Sequence, residues 1–164
     1  MGKTARQEGV SYTIRPMTEA DIDDVCQVEV ASFPIPWSRD AFVKEITENN
    51  LAHYFVAEVR GHAIGYAGMW LIWDGADVTN VAVLPEYQGL GIGTALVKEM
   101  ADTVRSSGAQ TLMLEVRRSN TVAQHVYEKL GFAVCGERKG YYEDNREDAI
   151  LMQLDVTKVR AEDE

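Results

Sequence analysis

Apolar positions recur along this chain with two periods, one helical and one of two residues. Residues 12–15 alternate as a first strand, which Pro16 ends, and Thr18 is placed to cap a helix over residues 19–32. There Ile22, Val25, Cys26, Glu29 and Val30 follow helical spacing, with the apolar members facing inward. A stiff apolar connector, Phe33-Pro34-Ile35-Pro36-Trp37, leads to Ser38, which caps a second helix over residues 39–47 with Phe42, Val43 and Ile46 on one side. Strands over 54–59 and 63–73 flank a hairpin turn at Arg60-Gly61-His62. Asp74-Gly75 reads as a type I′ turn, with residues 77–83 as the returning strand. Ile92, Leu96, Met100 and Val104 recur every four residues and mark the strongest helix, which Gly108 stops. A buried strand over 111–116, a short helix over 121–130 and strands over 132–137 and 149–154 complete the chain. This order predicts an α/β fold: a mixed, mostly antiparallel sheet of about seven strands flanked by four helices.

Composition narrows the picture. The 164 residues match the size of one domain, expected to span 1–164 with a core over 12–155 and charged ends, 1–11 and 156–164, that fray. Hydrophobic residues make up 46%, enough for a sizeable core. No apolar run approaches the ~18 residues needed to span a membrane, and residues 1–9 lack a hydrophobic signal core. A soluble cytoplasmic protein without membrane attachment is expected. The net charge of −10 argues against nucleic-acid binding through phosphates and suits either a basic partner or simple solubility. Cys26 and Cys135 belong to no CxxC pair and are expected as buried thiols. His53, His62 and His125 are scattered without ligand spacing, so no metal is expected.

The glycine-rich turn Gln88-Gly89-Leu90-Gly91-Ile92-Gly93-Thr94 lies between a strand and the long helix. Glycine permits close backbone approach and positive φ, and helix N-terminal amides attract anions, so a pyrophosphate is a natural guest. The alternative is a plain glycine-rich helix start. A Walker loop requires Gly-Lys-Ser/Thr, absent here, and the GxGxxG spacing is absent too. Glu115 stands in an apolar strand, where Leu112, Leu114 and Val116 share one face and Met113 and Glu115 the other. Partial desolvation there should raise its pKa toward that of a useful base; the plainer reading is a surface Glu paired with Arg117 or Arg118. Tyr127 lies on the short helix with Ala123, Val126 and Leu130, spacing that also fits a core tyrosine. Asn120 could cap that helix. Tyr141 and Tyr142 lie in a polar loop beside Glu143, Asp144, Glu147 and Asp148.

The turn, preceded by Val81-Ala82-Val83-Leu84-Pro85-Glu86-Tyr87, resembles the acetyl-CoA signature of the GNAT (GCN5-related N-acetyltransferase) superfamily. Asn120, Ala123, Tyr127, Gly131 and Phe132 resemble the second half of the same fingerprint, and the likeness runs from Tyr12 to Leu154. Ser32-Phe33, Pro36-Trp37-Ser38, Phe42 and Glu45 are similar to the first helical region of the ribosomal-protein-alanine N-acetyltransferases (the RimI type). So are Thr79-Asn80-Val81-Ala82-Val83, Leu114-Glu115-Val116-Arg117, Ser119-Asn120, Tyr141-Tyr142 and the stretch from Glu147 to Met152.

The resemblance implies the GNAT fold, acetyl-CoA as co-substrate, and acetylation of the N-terminal alanine of a small-subunit ribosomal protein. It implies cofactor contacts from Val81, Ala82 and Val83, along which pantetheine would pair like an added strand. Further contacts would come from Gln88, Gly89, Leu90, Gly91, Ile92, Gly93, Thr94, Asn120 and Tyr127. Glu115 would be the general base through water, and Tyr127 the donor to the leaving thiolate. Phe33, Trp37, Tyr141 and Tyr142 would wall the acceptor groove, with the acidic loop suiting a basic N-terminal peptide. An α-amine is neutral in roughly one molecule in seven at pH 7, and a lysine in about one in 2,500, so a modest base suffices for an N-terminus. Acetylation of lysine or small amines, or a non-catalytic acyl-CoA-binding module, are the alternatives.

Overall fold

A computed structural model of the protein describes residues 3–7 and 10–158. The chain gathers into two compact units, each drawn from two stretches of sequence. The first contains β1 (Lys3–Gln7), β2 (Val10–Pro16), α1 (Ile22–Ser32), α2 (Arg39–Glu48), β3 (Ala52–Val59) and β4 (His62–Ile72) as far as Trp70. It also takes in β5 (Gly75–Val83) from Thr79 onward and α3 (Ile92–Ser106) as far as Met100. The second contains residues 71–78, the end of α3, β6 (Thr111–Arg117), α4 (Thr121–Leu130), β7 (Ala133–Arg138) and β8 (Ala149–Asp155). Strand order is β1-β2-β3-β4-β5 in the first and β5-β6-β8-β7 in the second. The β5–β6 pair is parallel, whereas β1–β2, β2–β3, β3–β4, β6–β8 and β7–β8 are antiparallel. The mixed, mostly antiparallel α/β architecture is the expected one.

In the first unit Arg15, Asp21 and Glu58 join three elements. The Arg15 guanidinium donates two hydrogen bonds of 2.8 Å to the Asp21 carboxylate, and its Nε donates to Glu58 on β3 at 2.6 Å. Asp21 also accepts the Thr18 N–H at 2.8 Å, so residues 19–21 form a short 3-10 turn and α1 begins at Ile22, later than the expected 19. Ser38 caps α2 as expected, its Oγ accepting the Ala41 N–H at 3.1 Å. Ile22, Val25, Val28, Phe42, Tyr54, Val56, Ala63, Tyr66 and Ala82 make one buried cluster. In the second unit the β6–β8 register sets Leu112 against Leu154, Leu114 against Met152 and Val116 against Ile150, all buried.

Four local expectations change. β1 occupies part of the end expected to fray, pairing with β2 from Lys3↔Ile14 to Gln7↔Val10. The outer edge of β2 otherwise presents unpaired N–H and C=O groups, which is what an added strand satisfies. Val156, also placed in a fraying end, is buried, and its N–H donates to Gln110 O at 2.9 Å. Residues 1–2, 8–9 and 159–164 of those ends lie outside the described residues. The turn expected at Asp74-Gly75 falls earlier. Trp73 takes the left-handed conformation (φ 58°), while Gly75 begins β5, where a Cβ would stand 2.7 Å from Thr111 Oγ1. Gly75 thus serves a close approach between strands, and not the turn. The thiols are not both buried: Cys135 is exposed on β7 and Cys26 is half-buried.

Burial raises the Asp21 pKa, but the Arg15 and Thr18 hydrogen bonds outweigh it and hold the carboxyl below its ordinary value. A depressed carboxyl contributes stability above its unfolded pKa of about 3.9, and that contribution is lost as pH falls through the folded value. Asp21→Asn is therefore expected to cost about 2 kcal/mol in urea unfolding at pH 7. The gap from wild type should narrow steadily as the pH is taken below about 3.9.

Candidate active site

In the first unit the glycine-rich turn has the form of an anion cradle. Gly89 and Gly91 take φ of 80° and 81°, and a Cβ at either would meet nothing within 4 Å. The Ala95 N–H donates to Gly91 O at 3.0 Å. The amides of Ile92, Gly93 and Thr94, at the start of α3, therefore precede the first intrahelical bond. Gln88 anchors the turn, its Nε2 donating to Val83 O at 3.0 Å. Ala82 and Val83 are buried, with Val81 partly so, and their side chains pack while their main chain follows β5. Pairing of β5 with β6 covers only Gly75↔Thr111, Ala76↔Leu112 and Asp77↔Met113 among the described residues. Phe33 and Trp37 pack against the buried cluster of this unit, Trp37 lying 5.4 Å from the Phe42 ring.

The chemical side chains of the second unit are Glu115, Tyr127 and the 141–148 loop. Alternation along β6 is as expected, with 112, 114 and 116 buried and Glu115 on the other face, its side chain 26% exposed. The partner of Glu115 is neither Arg117 nor Arg118. Its Oε2 is buried, accepts no hydrogen bond among the described residues and lies 3.6 Å from Nε of Arg138 on β7. Tyr141 and Tyr142 meet edge to face at 5.1 Å. Burial, and then the Glu115 carboxylate, raise the pKa of both phenols, Tyr142 to about 12. Arg138 was absent from the expected site because its approach depends on the β7–β8 register, which shifts between Val134 and Gly136. No local sequence pattern marks that shift.

Tyr127 is partly buried against Phe132, with ring centres 5.6 Å apart, and burial raises its phenol pKa. Asn120 does cap α4: its Oδ1 accepts the Ala123 N–H at 3.1 Å. The acidic loop is largely committed to internal pairs. Arg117 reaches Asp144 at 3.0 Å and Glu147 at 3.3 Å, its guanidinium lying 4.0 Å over the Tyr142 ring. Asp148 faces Arg118 at 3.5 Å and Lys139 at 3.3 Å. The acidic rim expected from the loop is thus mostly neutralised where it stands. No group of His, Cys, Asp or Glu among the described residues is arranged to hold a metal ion. No helix among them is long and apolar enough to cross a membrane.

A glycine-rich turn at a helix start in the first unit, and a carboxylate with one buried oxygen and a phenol kept protonated by burial in the second, are features that group transfer from a phosphate-bearing acyl carrier can use. The chain belongs to the Acetyltransferase (GNAT) family, which it matches over residues 22–132. It is 43% identical, over 88% of its length and 96% of the relative, to a Bacillus subtilis (strain 168) protein. That protein carries the provisional designation ribosomal protein bS18-alanine N-acetyltransferase. It is 35% identical to the ribosomal protein bS18-alanine N-acetyltransferase of Escherichia coli (strain K12), over 88% of this chain and 98% of that one. The crystal structure of the ribosomal-protein-S18-alanine N-acetyltransferase from Escherichia coli superposes with a TM-score of 0.82 at 33% identity, covering 92% of this chain and 97% of that one.

Gly91→Asp tests the cradle. It forces an L side chain into a left-handed position and sets a negative charge beside helix amides that favour anions. Acetyl-CoA affinity measured by calorimetry is expected to fall by roughly a hundredfold or more, about 3 kcal/mol. Unchanged affinity in a folded variant would remove the phosphate assignment.

Proposed function

We propose that this chain is an acetyl-CoA-dependent N-terminal protein acetyltransferase acting on the N-terminal alanine of a small-subunit ribosomal protein, in the cytoplasm. The observation that carries the reading is the identity with bS18-alanine N-acetyltransferases along almost the whole chain, 43% and 35%. One acetyltransferase domain is the organisation that fits, because the family match over 22–132 runs through both units.

The residues present fit acetyl-CoA. Gln88, Gly89, Leu90, Gly91, Ile92, Gly93 and Thr94 would hold its pyrophosphate on turn and helix amides, and Val81, Ala82 and Val83 would pair with pantetheine through their main chain. The amide nitrogen of Asn120, whose oxygen is used as a cap, would meet the same arm. Acetyl-CoA supplies the acetyl group as a thioester. Glu115 takes the proton from the attacking α-amine through water. Tyr127 donates a hydrogen bond to the departing thiolate. With its pKa raised above about 10 against about 8.5 for a free thiol, it stays protonated, so its role is to stabilise charge by hydrogen bonding. Phe33, Trp37, Tyr141 and Tyr142 would receive the peptide N-terminus, a small first side chain avoiding a clash with aromatic walls. With Asp144, Glu147 and Asp148 already paired, attraction for a basic peptide falls mainly to Glu143 and the net charge of −10.

Glu115→Gln should slow turnover by about 10²–10³-fold with acetyl-CoA affinity nearly intact, and Tyr127→Phe should lower the rate with a smaller effect on binding. Near wild-type rates in both variants would leave positioning alone as the source of catalysis. Acceptor choice is read with one basic peptide in two forms: a free N-terminal Ala, or a blocked N-terminus with an exposed lysine. Mass spectrometry is expected to find the acetyl group on the free α-amine. Equal or faster reaction of the blocked form would replace this reading with lysine acetylation, and turnover of a polyamine alone would point to a small-amine enzyme.

A further inference from the structure

Glu29 is a carboxylate in an apolar place. It lies on α1, is 1% exposed, and sits among Val25, Val28, Phe42 and Tyr66, all equally buried. Burying an ionisable group in such surroundings is costly unless every lone pair finds a donor. Each oxygen of Glu29 has one. Oε2 accepts the main-chain N–H of Trp37 at 2.8 Å, and Oε1 accepts the Tyr66 hydroxyl in a short bond. That hydroxyl in turn accepts from Asn80 Nδ2 at 2.9 Å. Burial, and then the Glu29 charge, raise the Tyr66 pKa, so the phenol remains a donor at any working pH.

Glu29 also holds the other end of the same connector. Its main-chain oxygen accepts the Phe33 N–H at 3.0 Å. Between Phe33 and Trp37 the prolines at 34 and 36 have no N–H, so the connector offers three main-chain donors, and one residue takes two of them. The fixed φ of the prolines stiffens the segment, and the two hydrogen bonds fix where it begins and ends. On its far side the network reaches Asn80, the residue before Val81 on β5. A parallel link runs from α2: Tyr54 donates to Glu45 at 2.7 Å and lies 3.0 Å from the Thr79 hydroxyl. Tyr54 stacks on Tyr66 at 6.5 Å, and Trp70 donates to Glu45 at 2.8 Å.

We propose that Glu29 is a positioning residue for the acceptor: its carboxylate clamps the Phe33–Trp37 connector and, through Tyr66 and Asn80, ties that wall to the strand carrying Val81. The inference rests on the reading of Phe33 and Trp37 as acceptor-binding. It assigns Glu29 no contact with substrate and no proton transfer. Its consequence is that disturbing the carboxylate should weaken peptide binding selectively, because the wall moves while the glycine-rich turn does not.

Glu29→Gln keeps the shape and removes one acceptor. The amide offers one oxygen and an NH2 that only donates, so either the Trp37 N–H or the Tyr66 O–H loses its acceptor. Kinetics with an Ala-initiated peptide, at a temperature where thermal melting shows the variant folded, should give a peptide KM raised about tenfold and kcat lowered less than about threefold. Acetyl-CoA affinity by calorimetry should change less than about twofold. A folded variant with an unchanged peptide KM overturns the inference, as does an equal loss of acetyl-CoA affinity, which would make Glu29 a general support of the fold. If Glu29→Gln does not fold, Asn80→Ala decides, since it removes only the half-buried outer bond. A rise in peptide KM of about threefold is then expected, and no rise overturns the inference. Wild-type turnover in the same assay separates the two claims. A wild type inert on the peptide overturns the acceptor reading and the inference with it, whereas an active wild type with an unaffected variant overturns the inference alone.

Discussion

Main-chain hydrogen bonding along residues 77–95 is the constraint on which the rest of this protein depends. Every buried N–H and C=O requires a partner, and secondary structure ordinarily supplies it. Here the parallel ladder of β5 ends at Asp77↔Met113, and the first helical bond of α3 closes only at Ala95. β5, which runs to Val83, keeps β4 as its hydrogen-bonded neighbour on the other side, and beyond it Leu84 donates to Ile64 O at 2.8 Å, Gln88 reaches back to Val83 O, and Gly89 and Gly91 take left-handed angles. The side chains of Ala82, Val83 and Ile92 are meanwhile buried. Apolar side chains thus anchor the segment, while the amides of Ile92, Gly93 and Thr94 precede the first helical bond of α3.

The chemistry asked of the side chains is modest. In the proposed reaction an N-terminal amine is already partly neutral near pH 7, so a modest proton acceptor such as Glu115 would be adequate. In the same proposal Tyr127, whose pKa burial raises, would serve a thiolate as a hydrogen-bond donor and not as a source of protons. Around Glu115 the structure sets one cation, Arg138, and two raised phenols, Tyr141 and Tyr142. The loop that follows satisfies its own charge through Arg117, Arg118 and Lys139. Ion pairs of this partly exposed kind contribute little stability individually. Together with the bond from Ser119 N–H to Glu147 at 2.6 Å they hold the loop in one form beside the aromatic pair.

Much of this was legible in the sequence because it is periodic. Leu96, Met100 and Val104 at four-residue spacing are all fully buried, and the alternation through Leu112, Leu114 and Val116 survives intact in β6. The caps at Ser38 and Asn120 are local hydrogen bonds, and both form as read. The errors fell where local pattern is ambiguous. Asp74-Gly75 carries the composition of a hairpin turn, yet Trp73 takes the left-handed angle, and Gly75 lies in β5 close beside Thr111. Glu29 looked like one more helical position; its burial shows only when Trp37 and Tyr66 are brought to it from two other segments, with Asn80 donating to Tyr66 behind them.

The sequence by itself determined the element order, the α/β class, the glycine-rich turn and the residue types able to bind a pyrophosphate, accept a proton and stabilise a thiolate. These follow from period, capping and residue chemistry, which act over a few neighbours along the chain. The tertiary structure alone decided that Arg138, and not Arg117 or Arg118, faces Glu115, that the acidic loop is internally paired, and that Glu29 binds both ends of the Phe33–Trp37 connector. Those outcomes depend on strand register and on contacts between residues distant in sequence. Hydrogen bonds and ion pairs act over a few ångströms in space, and linear spacing does not encode which distant groups the fold will bring within that range.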